Sequence, residues 1–508
     1  MNVFLLYRDR DPDLEGEALP HNAEALTQDL GLTNLFDAMA AGDPFLFEVA
    51  RKTMLASLLD PEAIRYRQDV LADCLANPAV VRRLYAIAVE GVQAQRKIWL
   101  FSLKSSSPDS ILRQSQQLLR LLVEVLAALR AVADEHASAF RSEGFVRLFD
   151  MLARELDDDY LRTVRYELDE LEFRRGVLMS AELGRGNKGT RYVLRRTPEL
   201  RWTDRFARRN RRSLSFEIAD RDESGSQALT DLRARGINLV ANALGQSADH
   251  VRSFFAMLRA QLAFYVGCLN LHERLTGKGE PVAFPTAEAP PSLALSAGGL
   301  YDPGLSLRLE TRVVGNDLAA DGKTLVMVTG ANQGGKSTFL RSLGIAYLMM
   351  QSGMFVAAQS LRAGICTGLF THFKREEDEA MESGKLDEEL RRMSALADAI
   401  RPRSVLLCNE SFASTNEREA SEIARQVIRA FREAGVRIVF VTHLFDLARS
   451  VHRDSDGAAL FLRAERREGG RRTFRILPGD PMPTSHGEDS YRRVFGAHAH
   501  PMPEAAPT

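Results

Sequence analysis

The stretch MVTGANQGGKSTFL, residues 327–340, constrains this chain more than any other. An apolar run enters three glycines and a lysine and leaves into a second apolar run. From Gly330 to Ser337 the spacing is G-x-x-x-x-G-K-S. Glycines let successive N–H groups turn inward into an anion nest, and a helix that follows adds its positive N-terminal end. The motif needs a strand, a loop and a helix in that order. TLVMVT, GANQGG and KSTFLRSLGIAYLMM supply them. The pattern predicts that Gly330, Asn332, Gly334, Gly335, Lys336, Ser337 and Thr338 hold a nucleotide. Lys336 reaches the β- and γ-phosphates, and the Ser337 hydroxyl is a ligand for Mg²⁺.

Two further runs point to the same chemistry. SVLLCNE, 404–410, is an apolar strand that ends in Asn409 and Glu410. A carboxylate at the end of such a strand faces the γ-phosphate and can orient or deprotonate the attacking water, so Glu410 is the catalytic candidate. VFVTHL, 439–444, ends a third β-rich run and places His443 where it can contact a γ-phosphate. Helical segments separate these runs, which predicts a mostly parallel sheet with crossover connections.

The rest of the chain is organised differently. At 508 residues it is long enough for roughly two to four domains. Residues 1–179 read as successive helices with apolar residues three and four apart. SSSPDS, 105–110, breaks them, with Asp109 or Ser110 expected to cap the helix that follows. Residues 180–225 form a basic insertion. From Arg185 to Arg212 there are eleven Lys or Arg against two acids, with Tyr192, Trp202 and Phe206 interleaved. Arg195, Arg196, Arg205, Arg208, Arg209, Arg211 and Arg212 are the cations expected to meet phosphates of duplex or branched DNA, and LGRGNKG, 183–189, reads as a hairpin turn. Helices return over 226–280. A Pro-, Gly- and Ala-rich stretch, 277–299, marks the boundary to an α/β domain over 281–497, and 498–508 reads as a disordered tail.

Composition excludes several classes. The formal net charge of −1 leaves only a local patch for nucleic acid. Cys74, Cys268, Cys366 and Cys408 are scattered, so buried thiols are expected and not a metal site or disulfide framework. The apolar run at the start is too short for a signal sequence, and no uninterrupted apolar run approaches the roughly 18 residues of a membrane span. A cytoplasmic chain without membrane contact is expected.

From Gly277 onward the chain resembles the ATPase domain of the MutS mismatch-repair family, a branch of the ABC-type ATPases. VGNDL (314–318) and TGANQGGKSTFLRSLG are similar to the family's N-D and T-G-P-N-x-G-G-K-S-T elements. YLMMQSGMFVAAQS, LFTHF, ESGKLDEELRRM, LLCNES, VTH and TSHGEDSYRRVFG resemble the segments that follow in order. LDPEAIRYRQDVLAD, 59–73, is similar to the core segment that carries I-x-x-R-Q, here Ile64, Arg67 and Gln68. The resemblance implies a multidomain chain: an all-α core and lever region with a small clamp-like insertion, then an α/β P-loop ATPase domain. It implies ATP and Mg²⁺ as cofactors, Asn316 at the nucleotide, and a homodimer in which Ser414, Thr415 and Asn416 reach the partner's site. The start of the helical core near residue 20 leaves no room for mismatch-reading or connector domains.

Two departures stand out. Asn409 replaces the usual Walker B aspartate, so Ser337 and Asn409 form a metal site without its negative charge. SFASTNERE, 411–419, stands where the family has G-R-G-T-S-T. The expected function is ATP-driven dimeric clamping on DNA in repair or recombination. The alternative is a nucleotide-gated scaffold for protein partners with slow or absent hydrolysis.

Overall fold

A computed structural model describes residues 1–13, 16, 18–99, 107–174, 176–197, 215–331, 333–375, 384–455, 457–466 and 472–482. Asn332, Arg205, Arg208, Arg209, Arg211, Arg212, Trp202, Phe206, the 484–496 segment and the tail lie outside these residues.

Several helices begin at an Asp-Pro pair. In α3 (Pro44–Leu55) and α4 (Pro61–Ala76), Asp43 and Asp60 accept N–H groups of the first turn while proline occupies the first helical position. Proline lacks the N–H that would be orphaned there, and the aspartate satisfies the next donors. Helices α1 (Ala23–Leu30) and α2 (Thr33–Ala40) precede them, and α5 (Pro78–Trp99) follows. In α6 (Pro108–His136) the cap is Ser107, which accepts from the Ser110 N–H. The expected cap at Asp109 or Ser110 therefore moves back, because Pro108 itself takes the first helical position. Helices α7 (Glu143–Glu155) and α8 (Asp158–Glu170) complete the front half.

Packing divides the chain into two units that do not follow chain order. The first holds Met1–Phe4 and Ala79–Leu262; the second holds Leu5–Pro78 and the described residues from Ala263. The core-like residues 5–78 therefore go with the α/β part.

In the first unit, α6 buries Leu112, Leu119, Leu122, Leu126 and Leu129 on one face. Arg130 donates to the carbonyls of Ala153 and Leu156 and so closes the end of α7. The expected hairpin is present: β1 (Leu178–Leu183) pairs antiparallel with β2 (Gly189–Arg195). It rests on α9 (Glu223–Thr276) at Gly236, where a Cβ would sit 1.7 Å from the Met179 sulfur. One window of α9 reaches a mean hydropathy of 1.4, apolar enough to cross a membrane by length and composition. The window is 78% buried inside the fold, as in the core helix of a packed protein.

The second unit is built on two sheets. A six-stranded sheet has the order β12-β11-β6-β10-β9-β8, with β6 (Leu325–Thr329), β8 (Leu369–Phe373), β9 (Val405–Asn409), β10 (Arg437–Val441), β11 (Ala459–Arg466) and β12 (Arg472–Pro478). All its pairings are parallel except that of β11 with β12. The expected strands at 324–329, 404–408 and 436–442 are β6, β9 and β10. A four-stranded sheet, β3-β7-β4-β5, joins β3 (Thr286–Glu288), β7 (Ser360–Gly364), β4 (Leu295–Leu300) and β5 (Asn316–Ala319). Two of its strands come from 277–299, so that stretch belongs to the domain it was expected to delimit. α10 (Pro303–Arg308) separates β4 from β5 and repeats the Asp-Pro start with Asp302.

The P-loop helix α11 (Lys336–Gln351) runs through the centre, with nearly every residue buried. At Gly344 a Cβ would meet Leu30 of α1 and Leu407 of β9, each at 2.7 Å, so only glycine lets helix and sheet close on it from both sides. At the helix's far end, Arg67 of α4 donates to the carbonyls of Leu6 and Ser352 and lies over the Tyr7 ring. This buried guanidinium ties the core segment to the end of the P-loop helix. The four cysteines are buried and free, as expected, and burial pushes the Cys408 thiol up to about 12.

Candidate nucleotide site

Parallel strands gather the ends of several elements at their carboxyl edge, where open α/β sheets bind ligands. Here β6 leads into the glycine loop, β9 into Asn409 and Glu410, and β10 into His443. Residues 438–441 of β10 pair with residues 325–328 of β6, and residues 437–441 pair with 405–409 of β9, so the three ends lie side by side.

The loop takes its shape from positions that only glycine fits well. Gly330 has φ 122° and Gly335 has φ 92°. A Cβ on Gly334 would lie 2.8 Å from the Ala464 methyl, so β11 closes over the loop from one side. From the other side, a Cβ on Gly335 would lie 3.3 Å from the Phe474 carbonyl of β12. Arg472 of β12 donates to the Gln333 side chain of the loop.

Lys336 sits inside this cradle. Its Nζ donates to the carbonyls of Gly330 at 2.8 Å and Ala331 at 3.0 Å. Burial holds the ammonium below its usual value, against the opposing pull of the Glu410 carboxylate. The Ser337 hydroxyl donates to Asn409 Oδ1 at 2.9 Å. The expected metal pair is thus together, as two neutral oxygens of the hard kind that Mg²⁺ takes alongside waters and phosphates. Among the described residues, no group of three or more His, Cys, Asp or Glu side chains is placed to hold a metal ion. Thr338 lies half-buried in the first turn of α11.

Glu410 stands in a left-handed conformation, φ 53°, with its N–H on the Val441 carbonyl at 2.9 Å. His443 Nδ1 lies 4.0 Å from Glu410 Oε1. The expected acid and histidine therefore face each other beside the lysine.

Other expected residues have partners of their own. Asn316 braces β12: its Nδ2 donates to the Phe474 carbonyl at 3.3 Å and its Oδ1 accepts from the Ile476 N–H at 2.7 Å. The three residues expected to act across a dimer already have partners in this chain. Ser414 donates to Glu389 of α12 (Lys385–Ala399), and Thr415 donates to Glu419 of α13 (Glu417–Glu433). Asn416 caps the start of α13: its Oδ1 accepts the Glu419 N–H, and its Nδ2 donates to the Glu419 carboxylate. Of the basic residues, Arg195 donates to Ser180, and Arg196 is held by Glu167 of α8 at 2.7 Å over the Tyr166 ring.

Sequence reading passed over His372 of β8. It is fully buried, stacked on Phe412, with Nδ1 2.8 Å from the Ser411 hydroxyl and Nε2 3.1 Å from the Glu389 carbonyl. Burial lowers its pKa to about 4, so it is neutral at pH 7. The proton then sits on Nε2, facing the Glu389 carbonyl, and the Ser411 hydroxyl lies between Nδ1 and the His372 carbonyl. The folded pKa lies below the ordinary value of 6.5. Its contribution to stability is therefore complete above pH 6.5 and is lost as pH falls toward 4. A His372→Asn variant lacks this term. In urea titrations between pH 7.5 and 4.5, wild type should lose roughly 2.5 kcal/mol more than the variant, while the carboxylates common to both cancel. Equal losses would refute the buried neutral imidazole.

Comparison with known proteins fits this geometry. Residues 59–278 match the MutS2 N-terminal domain, and residues 326–487 match MutS domain V. The chain belongs to the MutS family. Domain V of the family is an ABC-type P-loop ATPase domain, and its presence here implies ATP binding. The relatives are distant. The DNA mismatch repair protein MutS of Chloroflexus aurantiacus (strain J-10-fl) is 27% identical over 267 residues, 49% of this chain and 27% of that protein. The protein of the same name in Caulobacter sp. (strain K31) is 28% identical over 291 residues, 56% of this chain and 30% of that one. That of Thermus caldophilus is 31% identical over 183 residues, 36% of this chain and 22% of the relative. This MutS-family chain thus spans less than a third of the length of each relative.

Proposed function

We propose that this chain is an ATPase that uses ATP binding and hydrolysis to drive dimeric clamping on DNA, duplex or branched, in repair or recombination without classical mismatch reading. The observation that carries the reading is the meeting of Lys336, the Ser337–Asn409 pair, Glu410 and His443 at one sheet edge. On this reading Lys336 leaves the loop carbonyls for the β- and γ-phosphates, and the loop N–H groups and the N-terminus of α11 grip the remaining oxygens. Mg²⁺ would be held by the Ser337 hydroxyl and, through a water, by Asn409, and supplies charge neutralisation of the phosphates when bound. Glu410 orients the attacking water and takes its proton, while His443 contacts the γ-phosphate. ATP and DNA as ligands make the setting intracellular, in the cytoplasm.

The DNA part rests on the cations of 185–212 and on the name of the relatives. A second reading, a nucleotide-gated scaffold with slow turnover, draws on the neutral Asn409 and on Ser414, Thr415 and Asn416, whose donors are already held by Glu389 and Glu419.

One experiment separates the two readings: sedimentation of wild type and of a variant with Arg208, Arg209, Arg211 and Arg212 changed to Ala, with and without Mg·ATP and junction DNA. Wild type should pair with ATP and bind DNA. The variant should still pair and bind DNA more weakly, its log K against log salt flatter by about 0.9 for each phosphate it no longer neutralises. DNA affinity unchanged by the substitution and by salt would leave the scaffold reading.

A further inference from the structure

The turn that carries Glu410 is backbone-strained, and its restraint comes from β8 and α12. Glu410 and Phe412 both have left-handed φ, 53° and 66°. Non-glycine residues hold such angles only where their surroundings over-determine them. Three contacts do so here. Phe412 is fully buried, its ring stacked on His372 at 5.6 Å. The Ser411 hydroxyl lies 2.8 Å from both the His372 ring nitrogen and the His372 carbonyl. Ser414 donates to Glu389 Oε1 at 2.9 Å.

Glu389 links these contacts. It is 5% exposed, on the inner face of α12, and its main-chain carbonyl meets His372 while its carboxyl meets Ser414. One residue therefore anchors the loop on both sides of Phe412. Burial raises the pKa of this carboxyl, against the opposing effect of the Ser414 hydroxyl and the Phe412 main chain. Retaining a buried acid there at a desolvation cost is hard to explain by packing alone, since an apolar side chain would fill the space without it.

We propose that Glu389 is a positioning residue for ATP hydrolysis: through Ser414, it holds the 410–414 turn in the left-handed form that aims the Glu410 carboxylate at the attacking water. This rests on the reading of Glu410 as the base. Without the anchor the turn relaxes toward ordinary angles and the Glu410 carboxylate leaves its place beside Lys336. The phosphate cradle, built on β6 and α11, is untouched. The loss therefore falls on kcat and spares KM.

The test is steady-state ATPase kinetics on Glu389→Ala, Glu389→Gln and Glu410→Gln, each with a thermal melt. Glu389→Ala should lower kcat about tenfold, with KM for ATP within about twofold of wild type. Glu389→Gln keeps an acceptor for Ser414 and should recover most of the loss. Wild-type kcat in Glu389→Ala, or equal loss in the Gln and Ala variants, overturns the proposal. Should the Ala variant fail to melt cooperatively, Ser414→Ala replaces it: it removes the same bond from the other side, and unchanged kcat there also overturns the proposal. An inactive Glu410→Gln beside a fully active Glu389→Ala defeats this inference alone. Wild-type turnover in Glu410→Gln defeats the reading beneath it.

Discussion

Glu410→Gln should bind ATP as tightly as wild type and hydrolyse it about 100- to 10,000-fold more slowly, the usual range for removal of a general base. The substitution keeps shape and hydrogen bonding but cannot take a proton. The site geometry makes the effect specific. Glu410 lies one residue beyond Asn409, whose side chain accepts from Ser337, and 4.0 Å from His443. Its charge also acts on Lys336. Because the neutral amide leaves Lys336 without that opposing charge, the variant should trap ATP-bound protein, visible as nucleotide retained through gel filtration. Turnover near wild type would move the base elsewhere.

Lys336→Ala should weaken ATP binding by about 10- to 100-fold, the loss of charge-assisted bonds of roughly 1.5–3 kcal/mol. Isothermal titration with ATP and with ADP reads it directly, and the loss should be larger for ATP because the ammonium reaches the terminal phosphates. Lys336 also bonds two carbonyls of its own loop, so the loop loses a brace as well. A melt without added nucleotide should therefore show a small drop. Full ATP affinity in this variant would mean the cradle is not a phosphate site.

What could be read in advance followed local physics. The strands β6, β9 and β10 are unbroken apolar runs because a parallel sheet covered on both faces demands them. Asp-Pro pairs announce helix starts through capping chemistry, and the glycines of the P-loop announce a turn that side chains would block. The four-stranded sheet was hidden because β3 has three residues, β4 carries Gly298 and Gly299, and both lie in a stretch whose composition signals a linker. Its pairing partners come from residues far along the chain, and no local pattern encodes that. Glu389 was hidden for a related reason. In the run LDEEL it is one acid among three, and nothing in the spacing distinguishes the buried one from those in water. Asn316 shows the reverse: a motif position legible in the sequence whose side chain is taken up by β12. Arg196 is similar, legible as a cation and held by an acidic helix.

The burial of α11 bears on where motion can occur. Of its sixteen residues, from Lys336 to Gln351, thirteen are buried. Gly344 is wedged between α1 and β9, and Arg67 grips the carbonyl just past the helix end. A rod so enclosed cannot shift without opening the core. Phosphate arriving at its tip meets a fixed anvil, so any conformational message must leave through the parts that border the tip: the turn after β9, and the β11–β12 hairpin that leans over the glycines.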